Sequence, residues 1–172
     1  MKNLFLLLLI FFPVTAFTQI AWIPVTYNVT FKIKNVDRNV TGKFTALKTD
    51  FRFSPDELGT SHFSATIHAA TTVTGVNKKD GDLQNADTIK YTQIEVESMN
   101  LYKKGTQFAG MFNVTIKGIT RQVEIPFEFN QTGNDAEFRS SFNINSRNFG
   151  EGINALTMNE PAMVSIYIKA KS

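Results

Sequence analysis

The residues best suited to catalysis or metal binding are few in this sequence. It has no cysteine, no Gly-x-Ser-x-Gly motif and two histidines, His62 and His68. Both histidines fall on one face of the same predicted strand, roughly 20 Å apart, because a strand rises about 3.3 Å per residue. That separation is too large for a shared metal ion. We therefore predict no catalytic constellation and interpret both histidines as ordinary surface or rim residues.

An acidic cluster, Asp80, Asp82 and Asp87, is the other group with metal-ligand chemistry. Calcium prefers carboxylate oxygens, but this segment lacks the glycine and the final glutamate of an EF-hand loop. Lys78 and Lys79 precede the cluster and are typical of a solvated turn, although such a pair can also meet an anionic head group. We expect no metal ion, no cofactor and no enzymatic activity.

The N-terminal segment has the order of a secretory signal peptide. Lys2 precedes an apolar run at residues 4–12, and the small residues Ala16 and Thr18 follow. The run is too short to span a bilayer comfortably. We expect residues 1–18 to be removed and residues 19–172 to form one domain, periplasmic or secreted and not membrane-spanning. The alternative interpretation of the run is a buried first strand.

The composition indicates an ordinary hydrophobic core. Without cysteine the chain has no disulfides, so apolar burial must stabilise it, and the chain is long enough for that. It contains 16 Phe in 172 residues, which predicts a large apolar interior. The formal net charge of +3 is mild and does not indicate a nucleic-acid partner.

Apolar and polar residues alternate in eight segments, and no amphipathic helix of normal length is evident. The segments lie at residues 27–33, 44–53, 63–69, 91–98, 108–116, 123–129, 138–144 and 164–168. In the second segment the alternation changes phase between Ala46 and Leu47, which predicts a bulge or bend. Because most connections are short, we predict an all-β fold, an eight-stranded antiparallel up-and-down barrel with an apolar interior, and we favour it over a two-sheet sandwich.

Two predicted connections are long, at residues 75–90 and 146–161. Loops of that length are uncommon in compact domains and are often functional. In an up-and-down barrel both follow odd-numbered strands, so they emerge at the same end. Phe149 lies in the second connection, within the stretch SRNFGEG. We expect it either to cover the opening as an apolar lid or to pack beneath its own loop.

Four stretches, in order, resemble the YceI-like family. WIPVTYNVTFKIKN (22–35) is similar to that family's opening strand, and KKDGDLQNAD (78–87) to its R-D-x-H-L segment. FNVTIKGITRQVEIPF (112–127) resembles its paired strands around a G-[IV]-T turn, and SRNFGEG (146–152) its R-x-D-F-G element. The resemblance covers residues 21–171. It implies a lipocalin-like barrel whose interior binds a polyisoprenoid or another long-chain lipid or amide.

On this resemblance, the inward-facing apolar residues are the predicted ligand contacts. They are Tyr27, Val29, Phe31, Phe63, Ile67, Phe108, Phe112, Val114, Phe127, Phe142 and Phe149. Lys79 and Arg147, one from each long connection, are the predicted contacts to a polar head group. The chain departs from the family pattern here, because alignment on Phe149 places Ser146 at the family's Arg.

The sequence therefore predicts a protein that carries or sequesters a long-chain lipid or isoprenoid inside its barrel, with a homodimer as a possible state. Two other classes stay open: a secreted structural or adhesion domain with a filled core, and an enzyme. A filled core would leave no ligand-sized cavity. An enzyme would need polar groups that converge inside the barrel.

Overall fold

The computed structural model describes residues 20–33, 40–68, 72–73, 93–150 and 161–172. These residues contain ten antiparallel strand segments and one 3₁₀ turn, Ser146–Phe149. The first five strands are β1 (Ala21–Ile33), β2 (Val40–Phe44), β3 (Leu47–Arg52), β4 (His62–His68) and β5 (Thr72–Val73). The other five are β6 (Gln93–Lys104), β7 (Gln107–Ile116), β8 (Ile119–Thr132), β9 (Asp135–Ile144) and β10 (Ala162–Lys171). The predicted signal peptide, residues 1–18, lies outside the described residues.

The strands close into a barrel of eight positions. Around the barrel the order is β1, β3, β4, β6, β7, β8, β9 and β10, and β10 pairs with β1 to complete the circle. β2 belongs to the same barrel position as β3, and β5 to the same position as β4. β2 pairs with β1 on one side and with β5 on the other. The predicted all-β, eight-stranded antiparallel barrel is confirmed, and the sandwich alternative is excluded.

The second barrel position is bent where the alternation changes phase. β2 pairs with the last residues of β1, whereas β3 pairs only with Ala21 and Trp22 at its start. Thr45 and Ala46 lie between β2 and β3 and belong to neither. The Tyr27 hydroxyl donates to the Thr45 carbonyl oxygen at 2.8 Å, which links β1 to the bend. The break that the sequence predicted is therefore present.

The strand directions define two ends of the barrel. At the turn end, residues 53–61 connect β3 to β4, and two-residue turns join β6 to β7 and β8 to β9. At the loop end, Lys117 and Gly118 join β7 to β8 with φ values of 53° and 74°, as a tight type I′ turn requires. Both long predicted connections begin and end at the loop end, as expected. Residues 74–92 and 151–160 lie outside the described residues.

An aromatic cluster fills the barrel toward the turn end. The Phe53 side chain, 1% exposed, is at its centre. Its ring centroid lies between 4.8 and 6.0 Å from those of Phe63, Phe108, Phe127, Phe129 and Phe138. The Trp22 indole N–H donates to the Phe53 carbonyl oxygen at 2.9 Å, so the buried indole keeps a partner. Many of the Phe side chains are thus packed against one another in the part of the interior nearest the turn end.

The wall is interrupted between β8 and β9. Their ladder runs from Thr132 opposite Asp135 to Glu128 opposite Arg139, and no pairing joins residues 119–127 to residues 140–144. Pro126 lies in the part of β8 that pairs with β7 but not with β9, and it has no N–H to donate, a property that suits proline to strand edges. The Ser140 hydroxyl donates to the Pro126 carbonyl oxygen at 2.6 Å. We call these two stretches, residues 119–127 and 140–144, which pair with β7 and β10 but not with each other, the β8–β9 seam.

Candidate functional site

An apolar cavity of about 110 Å³ lies inside the barrel, beside the aromatic cluster. Residues of all eight barrel positions line it, and nearly all of the lining side chains are apolar. Within the described residues, no buried side-chain nitrogen or oxygen lacks a hydrogen-bond partner. No group of three His, Asp or Glu side chains in the described ranges is arranged to hold a metal ion. The cavity is therefore suited to apolar ligands.

The two-residue period of the strands sets the cavity lining. Leu47 is opposite Ile67 and Phe51 is opposite Phe63, so these four side chains share the inward face of β3 and β4. Lys48, between Leu47 and Thr49, points outward and is exposed. The same alternation places apolar residues of the other strands inside.

Five predicted ligand contacts line this cavity. They are Val29, Phe63, Ile67, Phe112 and Phe127. All five are buried, with exposed fractions of 3% to 8%. The structure brings them together from four strands, β1, β4, β7 and β8.

The other predicted contacts are packed in the core but do not line the cavity. Phe31 belongs to a second, smaller cluster with Ala162, where its ring lies 5.4 Å from that of Phe44. The Phe108 ring stacks on Phe127 at 5.6 Å. The remaining members of this group all pack in or against the main core cluster: Tyr27, Val114, Phe142 and Phe149.

Phe149 is held by a short 3₁₀ turn at the loop end of the seam. The Asn145 side chain accepts a hydrogen bond from the Arg147 backbone N–H at 3.1 Å and caps the turn. Gly150 ends it with φ 91°, and a Cβ there would lie 2.9 Å from Ile119 of β8. Phe149 is only 1% exposed and belongs to the main core cluster. It therefore packs where β8 and β9 no longer pair, and its role as a lid stays a prediction.

The predicted head-group residues are not brought together by the described structure. Arg147 is exposed on the 3₁₀ turn. Lys79 lies outside the described residues, as do Asp80, Asp82 and Asp87. Recognition of a head group by Arg147 and Lys79 therefore stays a prediction.

A network of hydrogen bonds and ion pairs lies on the outer face of β9 and β10. The Glu137 carboxylate accepts hydrogen bonds from Arg139 at 2.8 Å and from the Tyr167 hydroxyl at 2.9 Å, and Lys169 lies 3.4 Å away. These donors, Arg139 first and Tyr167 second, lower the pKa of Glu137 to about 2. The Arg139 guanidinium also lies over the Tyr167 ring, 4.8 Å from its centroid. Glu137 and Tyr167 of this network do not line the apolar cavity, whereas Arg139 lines its edge.

Several residues that line the cavity were not among the predicted ligand contacts, although they lie in the alternating segments of the sequence. They are Leu47, Phe51, Ala65, Val96, Ile125, Phe138, Ile166 and Ile168. Alternation identifies the inward face of a strand but carries no information on height along the barrel axis. Ser140 was also missed, although a serine between Phe138 and Phe142 on an inward face is a visible interruption of the pattern.

A comparison with protein families identifies one match. A family model described as a YceI-like domain matches residues 22–171. Among curated proteins, no relative matches the sequence significantly.

Several solved structures have the same fold. BcnA of Burkholderia cenocepacia is 19% identical, with a TM-score of 0.76 over 84% of this chain and 96% of its own. A YCEI protein of Campylobacter jejuni is 19% identical, with a TM-score of 0.68 over 82% of this chain and 90% of its own. A polyisoprenoid binding domain from Saccharophagus degradans, implicated in plant cell wall breakdown, is 12% identical, with a TM-score of 0.62 over 88% of this chain and 97% of its own. At these identities the likeness establishes the fold alone.

Proposed function

The chain belongs to the YceI-like family, and on that premise we propose that it binds a long-chain apolar ligand, a polyisoprenoid or related lipid, inside its barrel. The observation that carries the proposal is the apolar cavity lined from all eight barrel positions. The structural neighbour from Saccharophagus degradans, a polyisoprenoid binding domain, supports this ligand class. The protein carries or sequesters its ligand, because no set of convergent polar groups in the described interior points to catalysis.

The size of the cavity limits how a long ligand can bind. An engineered apolar cavity of about 150 Å³ holds one benzene molecule, and this cavity is smaller, at about 110 Å³. Each buried methylene stabilises a complex by about 0.8 kcal/mol, whereas association costs at least several kcal/mol. A useful affinity therefore needs more buried chain than the cavity holds as it stands. The ligand must displace inward side chains or extend beyond the cavity.

Location follows from the sequence and is part of the proposal. The order of Lys2, the apolar run and the small residues supports export, so we infer a periplasmic or secreted carrier. In the described portion of the chain, no helix has the length and apolar character needed to cross a membrane.

One observation favours a second candidate, a structural or adhesion domain without a ligand. The half of the barrel around Phe53 is packed solidly with aromatic rings, as a domain selected for stability alone would be. The two candidates differ in whether the remaining cavity is occupied in the cell.

The test is native mass spectrometry of the protein purified from the cells that make it, followed by solvent extraction of bound lipid. We expect a mass increment that disappears on extraction, and an extract dominated by one long-chain apolar class. Protein that is free of lipid at every purification step, and that takes up no long-chain isoprenoid when one is supplied, would support the structural domain instead.

A further inference from the structure

We propose that the β8–β9 seam is a lateral portal, through which the ligand's chain passes into the cavity and at which an uncharged polar end group, a hydroxyl or a carbonyl, stays bound. This inference rests on the proposed function. It assigns a route and a head-group site in the wall of the barrel, in addition to the opening that the sequence predicts at the loop end.

The seam is the weakest described part of the wall between β8 and β9. Toward the turn end the two strands share a regular ladder, which ends at Glu128 and Arg139. Beyond it, Pro126 offers no N–H, and the side chain of Ser140 makes a 2.6 Å hydrogen bond to the Pro126 carbonyl oxygen. At the loop end, the space beside β8 is filled by the turn that carries Phe149. Opening the middle of the seam therefore requires the loss of a side-chain hydrogen bond and no ladder bonds.

A groove lies on the outer side of the same seam. Its volume is about 290 Å³, and its polar lining comes from Gln107, Glu128, Arg139, Ser140 and Ser141. Three residues, Phe127, Arg139 and Ser140, line both this groove and the interior cavity. The groove and the cavity are therefore the two sides of one thin stretch of wall.

Another interruption of the wall does not share this arrangement. At the bend between β2 and β3, the Tyr27 hydroxyl donates to the Thr45 carbonyl oxygen at 2.8 Å. The Tyr27 ring packs against the main core cluster and covers the break. The seam, in contrast, separates the cavity from a groove large enough to hold a polar group.

The charges in the groove favour an uncharged end group. Glu128 accepts a hydrogen bond from the Gln107 side chain at 2.8 Å, and Arg139 donates to Glu137 at 2.8 Å. An anionic head would meet Glu128, and a cationic head would meet Arg139. Ser141 is exposed in the groove and supplies a neutral hydroxyl that can donate to or accept from a hydroxyl or carbonyl.

The experiment uses cysteine labelling, which is specific because the chain has no cysteine. Ser141→Cys places a thiol in the groove, and Ser165→Cys is the matched control. Ser141 and Ser165 are directly opposite each other on β9 and β10, so they share a height and an outward face, but only Ser141 lines the groove. Each variant is alkylated with a bulky maleimide, and the uptake and release of a tritiated twenty-carbon isoprenoid alcohol are timed.

We expect alkylated Ser141→Cys to exchange the alcohol at least about tenfold more slowly than alkylated Ser165→Cys. Ser140→Ala, which removes the hydrogen bond to Pro126, should exchange it faster than the wild type. Equal exchange rates for the two alkylated variants would overturn the portal while leaving the proposed function intact. If the wild type takes up no alcohol, the proposed function and the portal both fail.

A second arm tests the end group. The wild type should bind the alcohol more tightly than the corresponding isoprenoid monophosphate, because the phosphate would meet Glu128. If the monophosphate binds more tightly and loses that advantage in Arg139→Gln, the neutral end group is wrong and the groove is an anion site.

Discussion

At the scale of single residues, the barrel wall separates an apolar interior from a charged outer face. Glu137 and Arg139 lie outward on β9, whereas Phe138 between them lies inside, 5% exposed. The strand period alone produces this separation, because successive side chains point to opposite faces. The hydrogen bond between Glu137 and Tyr167 therefore lies on the outer surface, whereas Arg139 also lines the edge of the cavity.

The first prediction concerns the pH dependence of Glu137. Its folded-state pKa is lowered to about 2, chiefly by the hydrogen bond from Arg139. A lowered pKa means that the stabilisation is fully present above the ordinary value near 4.5 and is lost as pH falls through about 2. Carbon-detected NMR titration should place the Glu137 midpoint near 2, and Arg139→Gln should raise it. A Glu137 midpoint near the ordinary glutamate value in the wild type would contradict the network.

The second prediction concerns Phe149. Because its side chain is 1% exposed, Phe149→Ala should lower the free energy of unfolding by about 3 kcal/mol, as Phe112→Ala should for another buried ring. Asn148→Ala, an exposed neighbour on the same turn, is the control and should have little effect. Urea denaturation measures all three variants.

Bound lipid per folded molecule separates the two roles expected for Phe149. Reduced retention in Phe149→Ala but not in Phe112→Ala would favour the lid. An unfolding midpoint of Phe149→Ala equal to that of the wild type would contradict its burial.

At the scale of elements, the sequence predicted the strands well and the seam not at all. Alternation identified the eight barrel positions and the phase change before Leu47, because a half-buried strand must alternate. β5, two residues long, is too short to carry a period. The seam begins where the β8–β9 ladder ends, and that point depends on the register between the two strands. It also depends on the hydrogen bond between the Ser140 hydroxyl and the Pro126 carbonyl oxygen. No pattern within one strand contains that information.

The third prediction tests a close approach between β6 and β7. A Cβ at Gly110 would lie 2.5 Å from Leu101 Cδ2 and 2.9 Å from the Asn100 carbonyl oxygen, and a backbone atom cannot move aside easily. Gly110→Ala should therefore cost about 1–3 kcal/mol of stability, the usual range for overpacking. Gly59→Ala is the control, since no atom lies within 4 Å of its Cβ position. Equal denaturation midpoints for the two variants would show that β6 and β7 are farther apart than described.

At the scale of the whole molecule, the aromatic rings around Phe53 lie toward the turn end of the barrel, and the apolar cavity lies beside them. The sequence predicted the barrel and an apolar interior, because the number and period of its strands determine both. It could not predict how much of that interior the Phe side chains fill, since this depends on their heights and rotamers in the closed barrel. The ring contacts of Phe53 and the cavity beside Phe112 emerge only from that packing.

The fourth prediction concerns export. The apolar run after Lys2 should direct the chain across the inner membrane, so the mature protein should begin near Gln19 or, with cleavage after Ala16, near Phe17. N-terminal sequencing of protein recovered from periplasm and medium measures this. Soluble cytoplasmic protein that retains Met1 would contradict the signal-peptide interpretation.

If the interior cavity holds the ligand, filling the cavity with a larger side chain should reduce the amount of lipid that is purified with the protein. Ala65 lines the cavity, and Ala65→Phe adds a phenyl ring, which would take up all of a cavity smaller than the one of about 150 Å³ that holds benzene. Thr66→Phe, one residue along on the outer face of β4, is the matched control. With both variants folded, we expect Ala65→Phe to be purified with much less long-chain lipid than the wild type and Thr66→Phe to keep the wild-type amount. Wild-type lipid content in Ala65→Phe would contradict the claim.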